Sequence, residues 1–239
     1  MIKDKILYRG TITNESYGTS IKDIAFGDVM IEEISDIVFE NVSFKGDLTT
    51  LNNIVISNCK FINCTMTNFN IHTTAMLENC EFENCIIDKF IVNNINDCKF
   101  TNCNMFIHSP IDPLSINDTK FTKCNILHEV SSTKQIIGCT YIDSTVSRLI
   151  LKGRSYIIKT SFENCIIDRL ISESDQGDLT LVSFIECDIG ILVIENTRMI
   201  KTRFENCVVE DRTKSKIKDN HSKCNDIIGS GVVVGLLSC

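Results

Sequence analysis

Residues 80–90, CEFENCIIDKF, decide the fold, because near copies of them return along most of the chain. CKFINC (59–64), CKFTNC (98–103), TKFTKC (119–124), TSFENC (160–165), VSFIEC (182–187) and TRFENC (202–207) all keep an aromatic residue third and a small residue sixth. Aligning the aromatics gives Phe39, Phe61, Phe82, Phe100, Phe121, Tyr141, Phe162, Phe184 and Phe204, with intervals of 22, 21, 18, 21, 20, 21, 22 and 20 residues. A unit of this length cannot bury its own apolar face and does so by stacking on its neighbours. The repeat therefore predicts a solenoid.

Inside a unit, the residue three after the aromatic is Val42, Cys64, Cys85, Cys103, Cys124, Ser144, Cys165, Cys187 or Cys207, and the residue five after is usually apolar. The residue two before it is Ile37, Cys59, Cys80, Cys98, Thr119, Cys139, Thr160, Val182 or Thr202. Small and large inward positions thus alternate in steps of two and three. A helix needs a period of 3.6 and a plain strand needs strict alternation; short strands joined by corners fit instead. Two residues after the aromatic, Asn41, Asn63, Asn84, Asn102, Asn164 and Asn206 form a further column. Asn tolerates unusual backbone angles at corners, and stacked Asn can form an amide ladder.

Eleven of the thirteen cysteines lie in the two small-residue columns. Free Cys packs as a small hydrophobe, so these are read as reduced packing residues. Their five-residue offset is not the close spacing of zinc or dithiol sites, and neither a metal nor a cofactor is expected.

The pattern resembles the pentapeptide-repeat family, whose units have a large apolar residue at the centre and a small one two positions earlier. The likeness covers about residues 36–210 and is clearest in CKFINCTMTN (59–68) and CEFENCIIDK (80–89). It implies an all-β, right-handed parallel β-helix of quadrilateral section, with four five-residue sides per coil and about nine coils. Coil lengths that wander from 20 leave a more triangular section open. Some members of the family protect type II DNA topoisomerases by imitating duplex DNA, which needs an acidic face. Residues 36–210 hold 22 Asp plus Glu against 15 Lys plus Arg. The signs mix along single columns: Lys60, Glu81 and Lys99 follow one another, as if neighbouring coils neutralised each other.

Around the repeat, residues 1–35 read as a β-rich N-terminal cap, 211–226 as a polar basic linker, and 227–239 as an apolar, Gly-rich tail. HSPIDPLSIND (108–118) holds both prolines and is expected to protrude as a loop. The tail reads as a cap or a homodimer contact; alternatively it is the core of a ribosomally made modified peptide, with Ser230, Ser238 and Cys239 as processing positions. Four dispersed His and no paired acids in register give no catalytic constellation. The net charge of −7 disfavours direct nucleic acid or membrane-surface binding and leaves room for a basic partner. With neither a signal-like start nor a long apolar run, the expectation is a cytoplasmic, non-enzymatic scaffold that binds a protein partner.

Overall fold

The computed structural model describes residues 8–17, 19–72, 74–108, 114–128, 134–173, 177–211, 214–218, 227–229 and 237–238. Its strands form three parallel sheets, here A, B and C, of 14, 11 and nine strands. Each coil runs from C to B to A and back to C, as in Val55–Ser57, Lys60–Ile62 and Thr65–Asn70. The molecule is a parallel β-helix.

Two corners of every coil are made by residues in the left-handed region. One column, between C and B, contains Asp36, Asn58, Asn79, Asp97, Asp118, Gly138, Lys159, Leu181 and Lys201; the other, between B and A, contains Asp23, Asn41, Asn63, Asn84, Asn102, Lys123, Asp143, Asn164, Glu186 and Asn206, all with φ between 47° and 68°. Asn and Asp dominate because they adopt this conformation at least cost after glycine. Gly138 has a second reason: a Cβ there would lie 2.1 Å from Asp118 Oδ1. Across sheet B the two corners are always five residues apart, whereas the return through A and C takes 13 to 17.

The question of three or four sides has a physical answer. Sheet A strands bend without a left-handed residue, so Ile87 and Phe90 both point inward although they are three apart. The pairing shifts register at that bend. Each full coil has four inward pairs, such as Ile54 with Ile56, Cys59 with Phe61, Cys64 with Met66 and Phe69 with Ile71. Two of the four sides share one sheet.

The core is a column of nine rings. From Phe39 to Phe204, successive centroids are 4.6 to 5.0 Å apart with interplanar angles of 0° to 12°. This distance is the coil spacing, so in-register pairing sets the stack. Phe69 and Phe90 stack beside it at 5.3 Å. Burying each Phe contributes roughly 1.5 to 3 kcal/mol.

The described strands outside 36–210 belong to the same solenoid. Ile21 pairs with Phe39, Phe26 with Phe44 and Val29 with Leu48, so the expected N-terminal cap holds a coil in register with the first repeat. The helical turn Asn14–Tyr17 ends sheet C on that side. Asn14 Oδ1 accepts from the Ser35 N–H at 3.0 Å and satisfies part of an edge that otherwise recruits other chains.

Two further expectations change, and part of the tail is described. Within 108–118, Leu114–Asn117 is a sheet C strand with Leu114 and Ile116 inward, because they are the next coil's apolar pair; 109–113 lie outside the described residues. The expected linker contains the strand Lys216–Lys218, which pairs with Val193–Glu195 and buries Ile217, since Lys-Ile-Lys alternates as a strand does. In the tail, Ile227–Gly229 extends sheet B and Leu237–Ser238 extends sheet A. Ser230 and Cys239 lie outside the described residues. No helix among the described residues is long and apolar enough to cross a membrane.

Candidate functional site

The column cysteines sit inside the rod as free, buried thiols. Their chemistry goes beyond packing. The single S–H of Cys85 is shared between the Phe61 carbonyl of the preceding coil, 3.2 Å from Sγ, and the Glu83 carbonyl at 3.4 Å. The same two acceptors recur for Cys64, Cys103, Cys124, Cys165, Cys187 and Cys207. Where a hydroxyl replaces the thiol the contacts are shorter: Ser144 donates to the Ile142 carbonyl at 2.8 Å and accepts from the Cys124 N–H at 3.1 Å, whereas Cys98 Sγ accepts from the Cys80 N–H at 3.5 Å. A small donor recurs in these columns as Cys, Ser or Thr, and only Ile37, Val42 and Val182 stand there without one. Burial pushes the Cys139 thiol up to about 12, so it is an unreactive thiol at neutral pH. Among the described residues no three His, Cys, Asp or Glu converge in a metal-binding geometry.

Function has to be sought on the outside. On sheet B the mixed charges pair between coils: Lys60 Nζ lies 2.8 Å from Glu81 Oε2, and Lys22 pairs with Glu40 at 2.5 Å. These are exposed pairs of small energetic weight. The neutralisation inferred along single columns is present there.

Across the corner between sheets B and A the picture differs. Four neighbouring columns meet there: the second outward column of B, the left-handed corner, and the two outward columns on the near side of A. Over the last four full coils they read Ile142, Asp143, Thr145, Ser147; Glu163, Asn164, Ile166, Asp168; Ile185, Glu186, Asp188, Gly190; and Glu205, Asn206, Val208, Glu210. The pairings Ile142 to Glu163 to Ile185 to Glu205, and Thr145 to Ile166 to Asp188 to Val208, fix the rows. Of sixteen positions seven are acidic, four aliphatic and none basic, and every one is at least partly exposed. Arg203 borders the array and pairs with Glu205.

The array is built on a firm frame. Asn164 Nδ2 donates to Asp143 Oδ1 at 2.7 Å. Gly190 stands where a Cβ would come 2.5 Å from the Asp168 carbonyl oxygen, so only glycine lets the two coils close up. A hollow of about 280 Å³ lies among Asp143, Thr145, Asn164, Ile166, Glu186 and Asp188. Ile166 and Val208 are 52% and 46% exposed. The four preceding coils hold only Glu83 and Asp88 as acids at the equivalent positions, with Lys123 opposing them. Reading each column along the axis hides the array, because in none of them do two acids follow one another; reading across the corner exposes it.

No family model and no curated protein matches the chain. Solved structures that align with it include a trypsin-treated variant of QnrB1, a plasmid-mediated fluoroquinolone resistance protein, at 10% identity and TM-score 0.35, over 96% of this chain and 95% of that one. The catalytic domain of a GH87 α-1,3-glucanase aligns at 10% identity and TM-score 0.38 over 93% of this chain; the chain spans about half of that domain, 55%. PfbA, a surface adhesin of Streptococcus pneumoniae, aligns at 8% identity and TM-score 0.28, over 86% and 72%. By its five-residue inward spacing, stacked aromatic column and left-handed corners, the chain is a parallel β-helix whose architecture resembles that of pentapeptide-repeat proteins.

Proposed function

We propose that this chain is a non-enzymatic binding protein, a rigid rod that offers the acidic array at its B–A corner to a cationic protein surface. The observation that carries the reading is the segregation of seven carboxylates and four aliphatic side chains, with no base among them, over four coils. Side chains on a hydrogen-bonded frame lose little freedom on binding. Carboxylates form charge-assisted bonds with Lys and Arg and speed encounter through the field they create. Aliphatic groups between them supply the apolar contact that charge alone lacks.

The test is charge reversal at exposed positions. The double variant Asp168→Lys, Asp188→Lys is expected to keep its circular dichroism and to lose the partner that crosslinks to the unmodified protein in its host. Calorimetry with that purified partner is expected to show affinity falling as salt rises. A partner held equally well by the reversed protein would remove this surface from the function.

A second reading has one observation in its favour. The four coils span about 14 Å from the ring spacings of 4.6, 4.9 and 4.8 Å, so seven carboxylates fall at roughly one per 2 Å of axis, close to the ~1.7 Å per charge of duplex DNA. Protection or inhibition of a type II topoisomerase by duplex imitation would use the same face. A gyrase supercoiling assay separates the two: reduced supercoiling by the unmodified protein and none by the reversed variant would favour imitation.

A further inference from the structure

We infer that the occupant of the array is a polyproline-II segment carrying an aliphatic residue at every third position with Lys or Arg between, an inference that rests on the array being a docking face for cationic protein. In each of two columns the array places a pair of aliphatic residues two coils apart. Ile166 and Val208 lie in one column two coils apart, with Asp188 between them. Ile142 and Ile185 lie in the parallel column two coils apart, with Glu163 between them. The ring spacings of 4.9 and 4.8 Å over the first interval put Ile166 and Val208 about 9.7 Å apart along the axis.

That distance selects a conformation. A polyproline-II helix repeats one ridge every three residues, or about 9.3 Å. A strand repeats a face every ~6.6 Å and an α-helix a turn every ~5.4 Å, or ~10.8 Å for two. Only the first keeps consecutive ridge residues on Ile166 and Val208 with a small error. Of the two columns, this one is the docking track, because its aliphatic residues are 52% and 46% exposed whereas Ile142 and Ile185 are half-buried.

The remaining two ridges of such a helix flank the track. One faces the corner and Glu186; the other faces Asp168 and Glu210, while Asp188 lies beneath the segment between the two apolar contacts. Lys or Arg on either flanking ridge would therefore meet carboxylates. A polyproline-II segment makes no internal hydrogen bonds and is already extended, so docking costs it little order. Gly190, flat beside Asp188, leaves room for a main chain to pass.

The experiment is fluorescence anisotropy with two fluorescein-labelled peptides of identical composition, one of repeated Leu-Pro-Arg triplets and one with the same residues in blocks of Leu-Leu-Pro-Pro-Arg-Arg. The full-length protein is expected to bind the triplet peptide about ten-fold more tightly than the block peptide, with affinity falling as salt rises. Ile166→Ser and Val208→Ser are expected to weaken the triplet peptide at least about five-fold without changing the salt dependence, and Asp188→Asn to flatten that dependence. Equal binding of both peptides, abolished by the Asp168→Lys, Asp188→Lys protein, would overturn the spacing and leave the cationic docking face standing. Binding of neither peptide, or binding unaffected by that double variant, would overturn both. No peptide binding together with loss of gyrase supercoiling would overturn this occupant in favour of duplex imitation.

Discussion

The side-chain amide of Asn102 donates to Oδ1 of Asn84 at 2.8 Å, and both residues hold φ near +52°. The same bond joins Asn84 to Asn63, Asn63 to Asn41 and Asn41 to Asp23. Each side chain thus helps to hold a backbone conformation that most residues avoid. Asn84→Ala should break two of these bonds and add left-handed strain, at a cost of about 2 kcal/mol. Lys123 interrupts the series in the same conformation. Lys123→Asn should restore continuity towards Asp143 and stabilise by about 1 kcal/mol. Urea denaturation of the two variants checks both signs.

Tyr141 stands in a column of phenylalanines, and its buried hydroxyl finds no hydrogen-bond partner. Burial holds its ionisation well above the usual phenol range. Tyr141→Phe keeps the ring and removes the unsatisfied oxygen, so it should stabilise by about 1 to 2 kcal/mol. A lower midpoint in thermal or urea unfolding would contradict this reading of the site.

Phe100 stacks between Phe82 and Phe121 at 4.7 and 5.0 Å. Phe100→Ala should cost about 3 to 5 kcal/mol, and Phe100→Asp should prevent folding by placing an unpaired charge in the core. Cys165→Ser, which keeps a donor for the Tyr141 and Glu163 carbonyls, should cost less than Cys165→Val, which leaves both without it. A reversed order within the Cys165 pair would mean that size, and not donation, governs these columns.

Alkaline pH should weaken the rod. The Cys139 thiol is pushed up to about 12 by burial, above its value of ~8.5 in an unfolded chain. Between those values the folded state holds a proton that the unfolded state has lost, so stability falls as pH rises. It is fully present below about pH 8.5 and drains away towards pH 12. Cys139→Thr, matching Thr119 and Thr160 in the same column, should fold and show a shallower decline in urea midpoint between pH 8.5 and 11.

The solenoid, its aromatic column and the Asn corner were legible because each rests on one residue type at a fixed offset. The second corner escaped because Asp36, Asn58, Asn79, Asp97, Asp118 and Gly138 share a backbone angle and not a side chain; the signal was a turn-former three residues before every aromatic up to Tyr141. The thiols were taken for small hydrophobes because donation to carbonyls one coil earlier depends on stacking. Leu114, Ile116 and Ile217 went unread as core residues because neighbouring prolines and lysines outweighed one or two apolar positions. The acidic array was hidden for a geometric reason: Glu163, Asp168, Glu186 and Asp188 fall in different columns, and only a corner brings them to one surface.

The constant five-residue step across sheet B, set against a return of 13 to 17 residues, separates what is measured from what is free. The near edge works like the graduated side of a ruler: its marks stay at one interval whatever length of chain is looped behind them. Segments can be gained or lost on the return path beyond the near side of sheet A without moving Ile166 relative to Val208, so appendages on the far side and the surface at the corner can change independently of each other.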